Sequence, residues 1–300
     1  MRPFFLSFVL LLGSAQAVQL TLLDSPDPTQ VRVRVRPDDA LAERPDRPGD
    51  AVSLNVLRNL ARLLPDSVSH LPVTCQPARG QAVHVFTDLL GYATCHFPLA
   101  DPGRVTVQVE GAPPAQVPPL ALGNAARLTV TDLDDTVIVT GVVQGQALRN
   151  VLTANGTTRP LFADAPAFLQ GQAARGPVVY LSNSPDGLTD SLRTLLHVHG
   201  LPGGPLFLRS LFRESAAQHK TNVLDTLART TTARFTLIGD SGERDPETYA
   251  RFVREHPGRV ERIVIRDVGS PARRQGVERL LTPLGVPFEF LPDTGGHPAP

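Results

Sequence analysis

The chain has 300 residues, 41% of them hydrophobic, with 29 basic residues against 29 acidic ones and a formal net charge of zero. That length and apolar content suffice for about two domains with packed cores, while the balanced charge provides no global field to recruit nucleic acid or an anionic membrane. Partners must therefore be recognised by local chemistry, and one local oddity stands out: the basic residues are all arginine except Lys220.

The first seventeen residues, MRPFFLSFVLLLGSAQA, read as a signal peptide. Arg2 supplies the positive end, Phe4 to Leu12 an apolar run too short to span a bilayer, and Ala15-Gln16-Ala17 the small-x-small cleavage pattern. No cysteine follows the cleavage point, which argues against a lipid anchor. Removal after Ala17 predicts a secreted or periplasmic protein with no integral membrane segment in the mature chain. In an oxidising compartment Cys75 and Cys95 can pair. The bridge would close a loop of about twenty residues, worth roughly 3 kcal/mol; two buried free thiols are the alternative.

Residues 18–111 read as a small β-sandwich. In VRVRVR, Val31 to Arg36, strict alternation on a strand puts three valines on one face and three arginines on a solvated one. VHVFTD, ATCHFPL and VTVQVEG are further strands, with turns at Leu90-Gly91 and Asp101-Pro102-Gly103. A single helix interrupts them, because Leu54, Leu57, Leu60, Ala61 and Leu64 fall at helical spacing. The stretch TDLLGYATCHFPLADPGRVTVQV resembles bacterial immunoglobulin-like or transthyretin-like repeats. Prolines 113, 114, 118 and 119 in APPAQVPPL then predict a semi-rigid linker over 112–125.

From 126 to 291 the period changes. Short apolar strands (LTVTD, VVYLS, FTLIG, RIVIR) alternate with amphipathic helices (LTDSLRTLLHVHG, HKTNVLDTLART, PETYARFVREH), the pattern of an α/β parallel sheet covered on both faces. In such sheets chemistry sits at the carboxyl ends of the strands. The first strand ends in TDLDDT, with Asp132, Asp134 and Asp135 crowded together. So much negative charge calls for a compensating hard cation, most simply Mg²⁺, and the twelve-residue calcium-loop pattern fails for lack of its glycine and glutamate. The second strand ends in Ser182-Asn183-Ser184, donors that open a helix at Pro185 and suit phosphate. Lys220 opens the next helix, and Asp240 and Asp245 follow the strand FTLIG.

DLDDT, the strand ending in Ser182, Lys220 and GDSGERD resemble, in order, the four motifs of the haloacid dehalogenase (HAD) superfamily over about Arg127 to Leu291. YLSNSP, GLPGGPLFLR, HK and LIGDSGERDPETYARFVREHPGRVERIVIRDV are similar, more narrowly, to the phosphatidate phosphatase catalytic domain of the actin-patch protein type. The resemblance implies a three-layer Rossmannoid fold with a minimal cap. It implies that Asp132 is the nucleophile forming an aspartyl-phosphate. Asp134 would be the acid and then base, with a pKa raised by neighbouring carboxylates and its main-chain carbonyl on Mg²⁺. Ser182 would bind a phosphoryl oxygen, Lys220 would neutralise Asp132 and the phosphate, and Asp240 would ligate Mg²⁺ with Asp245 in support. Thr136, Asn183 and Arg209 are the candidate substrate contacts; Arg209 and Arg266 match arginines of the LRD and IRD strings, for which a structural role is the alternative. Asp135 is read as a cap of its turn, with a metal-ligand role as the alternative.

A compact ammonium enters a crowded pocket where a guanidinium would demand a fork of acceptors, which accounts for a lysine at 220. Two departures bear on substrate: Asp186 stands where the strings read SNSPW, and Ser210 where they read LRD. Between Thr136 and the second strand lie about forty residues, with a flap (VTGVVQGQALRNVLT) and a helix around Ala165 to Ala174, leaving little room for a lid. The expectation is an exported phosphatase acting on a phosphorylated substrate, with a lipid phosphate such as phosphatidate implied by the resemblance. A phosphotransferase or mutase, or a non-enzymatic binding protein on the same scaffold, are the alternatives. The tail 292–300 is expected to be disordered.

Overall fold

The alternation at Val31, Val33 and Val35 folds as a strand whose valines enter a shared core. The computed structural model describes residues 17–294 apart from 65, 99–101, 121, 123 and 143. The signal segment up to residue 16, Asp101 of one expected turn, and tail residues 295–300 thus lie outside the described residues.

The N-terminal part comprises β1 (Val18–Leu23), β2 (Gln30–Pro37), α1 (Val52–Leu63), β3 (Pro72–Pro77), β4 (Val83–Phe86), β5 (Tyr92–His96), β6 (Val105–Val109) and β7 (Ala115–Val117). Its strands form two antiparallel sheets, β1-β2-β5 and β4-β3-β6-β7, which enclose one core of alternate valines. The Cys75–Cys95 disulfide joins β3 to β5, and so one sheet to the other.

The remainder comprises β8 (Arg127–Thr131), α2 (Ala147–Thr153), α3 (Ala165–Ala173), β9 (Val178–Pro185), α4 (Thr189–Val198), β10 (Leu206–Arg209), α5 (Ala216–Thr230), β11 (Arg234–Asp240), α6 (Asp245–Glu255), β12 (Val260–Asp267), α7 (Pro271–Leu281) and β13 (Phe288–Pro292). These strands make a six-stranded parallel sheet in the order β10-β9-β8-β11-β12-β13. Successive strand residues point to opposite faces. Val179 and Leu181 therefore join the core under α5, α6 and α7, whereas Val178 and Tyr180 join that under α3 and α4. Among the described residues no helix is long and apolar enough to cross a membrane.

Several local readings are corrected. Arg34 and Arg36 are each only 6% exposed; that strand face is covered, Arg34 meeting Asp186 just after β9 and Arg36 donating to the Arg62 carbonyl near the end of α1. Helix α1 forms where its leucines fall at helical spacing, but it buries Asn55, Arg58, Asn59 and Arg62 and leaves Leu57 and Leu60 exposed. What lies beneath it is polar. Asn59 Nδ2 donates to the carbonyls of Val151, Leu152 and Ala154 at the end of α2, which no helical partner satisfies, and Arg58 and Arg62 both pair with Asp46. The expected linker contains β7, an edge strand on β6; its flanking prolines sit outside the paired residues, where no ladder N–H is needed. Finally, β9 runs on to Pro185, with the first helical turn at Asp186, and β13 carries sheet order one residue past the expected domain end.

Candidate active site

Strand β8 lies at the centre of the sheet with β9 on one side and β11 on the other, and the chain builds outward in both directions from it. A crevice opens at the carboxyl ends of strands where the order reverses in this way. Asp132 follows β8 directly, 1% exposed, its N–H donating to Ile238 O at 2.9 Å.

Three elements converge on it. Helix α5 is started by a capping box in which Ser215 Oγ accepts from the Gln218 N–H, and its second turn carries Lys220 to the centre. Lys220 Nζ stands 3.0 Å from Asp132 Oδ1, 2.5 Å from Asp245 Oδ1 and 3.7 Å from Glu243 Oε2. Asp245 opens α6, where the exposed amides of a helix start favour negative charge, and its Oδ2 accepts from the Asp240 N–H at 3.3 Å. Gly239 permits this approach: a Cβ there would lie 2.3 Å from Asp245 Oδ2. Asp240 Oδ1 accepts from the N–H groups of Gly242 and Glu243 at 2.6 and 2.7 Å.

The other oxygen of that carboxylate, Asp240 Oδ2, is buried without a hydrogen-bond partner among the described residues. A carboxylate oxygen withdrawn from water without a partner is costly. Asp132, Asp240 and Asp245 offer oxygens within 4.8 Å of one another, a hard-oxygen set able to hold a metal ion. The electrostatics agree. Burial pushes the carboxyls of Asp132 and Asp240 well above the usual range; Lys220 opposes this at both, while Asp245 adds to it. Burial works to depress Lys220, yet Asp132 and Asp245 outweigh it and hold the ammonium well above its ordinary value. One lysine thus serves several carboxylates, leaving an excess of negative charge that a cation would relieve.

Asp134 turns the other way. Its Oδ2 accepts from the hydroxyls of Ser182 at 3.0 Å and Ser184 at 2.8 Å, and its Oδ1 from Thr140 at 2.8 Å. Ser182 Oγ also accepts from the Ser184 N–H, so this serine is committed to Asp134 rather than free toward the centre. Asp135, at φ 52°, caps its turn: its carboxylate accepts from the N–H groups of Thr140, Gly141 and Val142. Thr136 Oγ1 donates to Asp132 Oδ2 at 3.3 Å. Asn183 Nδ2 donates to Glu243 Oε2, and Arg209 Nε to Asn183 O. Arg266 stays within the scaffold, its Nε donating to Thr136 O and its guanidinium stacked 4.3 Å over Phe162.

The structure therefore gathers Asp132, Asp134, Thr136, Ser182, Asn183, Lys220, Asp240 and Asp245 at one strand edge, with Arg209 holding the backbone of Asn183. Glu243, Thr140 and Gly239 are additions that sequence reading missed, and Ser184, expected as a phosphate donor, is bonded to Asp134. Ser184 and Glu243 lie inside the motif strings SNSP and GDSGERD, so their positions were visible there, whereas the contact of Thr140 with Asp134 depends on the reversal that Asp135 imposes.

Residues 128–267 match the family described as phosphatidate phosphatase APP1, catalytic domain, which bears out the resemblance carried by the motif strings. The chain is also 28% identical over 151 residues to an uncharacterized protein of Schizosaccharomyces pombe, C29B5.04c, an overlap of 47% of this chain and 25% of that protein. It thus spans a quarter of that relative's length. Among solved structures, one titled "Structure of Pnkp1/Rnl/Hen1 complex" aligns with 60% of this chain and 54% of its own, at 14% identity and a TM-score of 0.34.

Proposed function

We propose that this chain is an exported, Mg²⁺-dependent phosphatase that hydrolyses phosphate monoesters through an aspartyl-phosphate on Asp132. The observation that carries the reading is the placement of Lys220 between Asp132 and Asp245, beside an Asp240 oxygen that has no hydrogen-bond partner among the described residues. The match to the phosphatidate phosphatase family supports a lipid phosphate as substrate. The Cys75–Cys95 bridge supports an oxidising compartment and, with it, the export expected from the first seventeen residues.

In this reading Asp132 attacks phosphorus in line; the Asp132–phosphorus bond forms as the phosphorus–alcohol bond breaks. The leaving oxygen needs a proton, because an alkoxide is a poor leaving group, and Asp134 delivers it from beside Asp132. Asp134 then takes a proton from the water that releases phosphate. Lys220 neutralises charge shared by Asp132 and the phosphoryl oxygens, with Asp245 fixing its ammonium. Ser182 exchanges Asp134 for a phosphoryl oxygen, and Asn183 and Thr136 border the same space. Mg²⁺, held by Asp132, Asp240 and the Asp134 main-chain carbonyl with Asp245 in support, would supply charge neutralisation for the phosphoryl oxygens.

The test is phosphate release by the purified protein from p-nitrophenyl phosphate and from phosphatidate vesicles. Turnover should require Mg²⁺, stop on chelation and return on readdition; no release from any phosphomonoester with Mg²⁺ present would sink the reading.

A further inference from the structure

Asp134 also forms part of the wall of a cavity of about 160 Å³ between the segment after β8 and helix α2. The walls are mainly apolar, with Ile138, Val151 and Pro160 among them, and one lining residue is Arg159. This arginine is only 4% exposed. Its Nη2 donates to Val151 O at 3.3 Å and its Nε has no partner. No carboxylate lies within ion-pair distance of it among the described residues. The nearby Asp46 is already committed, its carboxylate pairing with Arg58 and Arg62 and accepting from Gly156 and Ser191. Burial accordingly depresses the Arg159 guanidinium below its ordinary value, with the field of Asp134 opposing that effect most.

A buried guanidinium without a counter-ion is strongly unfavourable, and a fold that only needed to fill this volume would use an apolar side chain. An uncommitted planar donor is, however, well suited to a carboxylate or carbonyl oxygen arriving from outside. The size is also informative. A cavity of roughly 150 Å³ accepts a benzene-sized fragment, so this one has room for the first few heavy atoms of a leaving alcohol and none for an acyl tail. Its contact with Asp134, the group that would protonate the leaving oxygen, puts it on the leaving-group side.

Resting on the phosphatase reading above, we propose that this cavity is the leaving-group pocket and that Arg159 selects phosphate monoesters whose alcohol carries an oxygen acceptor beside the phosphate-bearing carbon. Two sources offer that chemistry: a glycerophospholipid, through its ester carbonyl, and a soluble phosphorylated hydroxy acid, through its carboxylate.

The experiment compares kcat/KM within two matched pairs. Diacyl phosphatidate, whose ester on the neighbouring glycerol carbon supplies the carbonyl, is set against its dialkyl ether analogue, and 2-phosphoglycolate against ethyl phosphate, for the wild type, Arg159→Met and Arg159→Lys. A hydrogen bond to a charged donor predicts that the wild type prefers the acceptor-bearing member of one pair by about 10- to 100-fold, and the pair showing the preference identifies the source. In Arg159→Met the ratio collapses toward unity; Arg159→Lys recovers part of it for a carboxylate and less for a carbonyl. Because the methionine variant removes an unpaired buried charge, it should melt no lower than the wild type without substrate, whereas a merely structural arginine would leave it less stable. Equal kcat/KM within both pairs in the wild type, or an unchanged ratio in Arg159→Met, overturns the assignment of Arg159 alone. No hydrolysis of any of the four esters by the wild type overturns the phosphatase reading as well.

Discussion

Ser210 Oγ donates a 2.7 Å hydrogen bond to Asp186 Oδ2, so the two positions at which this chain departs from the SNSPW and LRD strings touch each other. The same carboxylate oxygen accepts from Tyr92 OH at 2.7 Å, and Oδ1 meets Arg34 at 3.1 Å. Burial, and next to it the Asp186 charge, push the Tyr92 phenol up to about 12, so it remains a donor at any working pH. The substitutions thus tie the end of β9, which carries Ser182 and Ser184, to β2 and β5 of the N-terminal sheet. Asp186→Ala would leave Arg34 buried and unpaired, a loss of about 3–5 kcal/mol. Thermal unfolding should show the drop, and an unchanged midpoint would remove the joint's importance.

Asp46 ties another part of the N-terminal half to α4. Burial raises its pKa, but the Ser191 hydroxyl, the Gly156 N–H and Arg62 outweigh that and hold the carboxyl below its usual value of 3.8. A carboxyl depressed by folding contributes stability that is present above its unfolded pKa and lost as pH falls through the folded one. Acidification below about pH 4 should therefore destabilise the wild type through this group. Asp46→Asn should be less stable at neutral pH and lack this part of the acid response, as denaturant melts across that range would show.

Helix α1 predicts an inverted mutational pattern. Asn59→Leu removes the donor that Leu152 O and Ala154 O share at the end of α2, and one of the two donors to Val151 O, and should cost about 1–3 kcal/mol, whereas Leu57→Gln and Leu60→Gln should stay within about 0.5 kcal/mol. Denaturant midpoints check both; a costly Leu57→Gln would mean that this face is covered in solution.

The helical period of α1 was legible in the sequence, but its inward face was not. Periodicity reports which residues share a side, and the choice of side was made by the α2 carbonyls and Asp46, nearly a hundred residues away from Asn59 in one case. The same holds for β2, whose alternation gave the strand correctly while Arg34 waited for a carboxylate at 186. In the second half the strands around Asp132, Ser182 and Asp240 were readable because parallel strands buried on both faces are continuous apolar runs, and the polar residues that end them mark the site. Glu243 and Ser184 were inside visible motifs without an assigned partner. Arg159 could not be singled out, since the chain has many arginines and its distinction lies in having no counter-ion among the described residues.

Reduction of the Cys75–Cys95 bridge, which spans 20 residues, should lower N-terminal stability by about 3 kcal/mol. Melting with and without reductant measures it, and a Cys75→Ala, Cys95→Ala double variant that is as stable as the oxidised protein would show that the bridge contributes nothing.

The central claim is tested most directly by acid-quenching the enzyme with a ³²P-labelled phosphomonoester and mapping the labelled residue. Label should appear on Asp132, and Asp132→Asn should lose both the label and at least about a thousandfold of the phosphate release while its fold, read by circular dichroism and melting, survives. Label on another residue, or full turnover by Asp132→Asn, would contradict it.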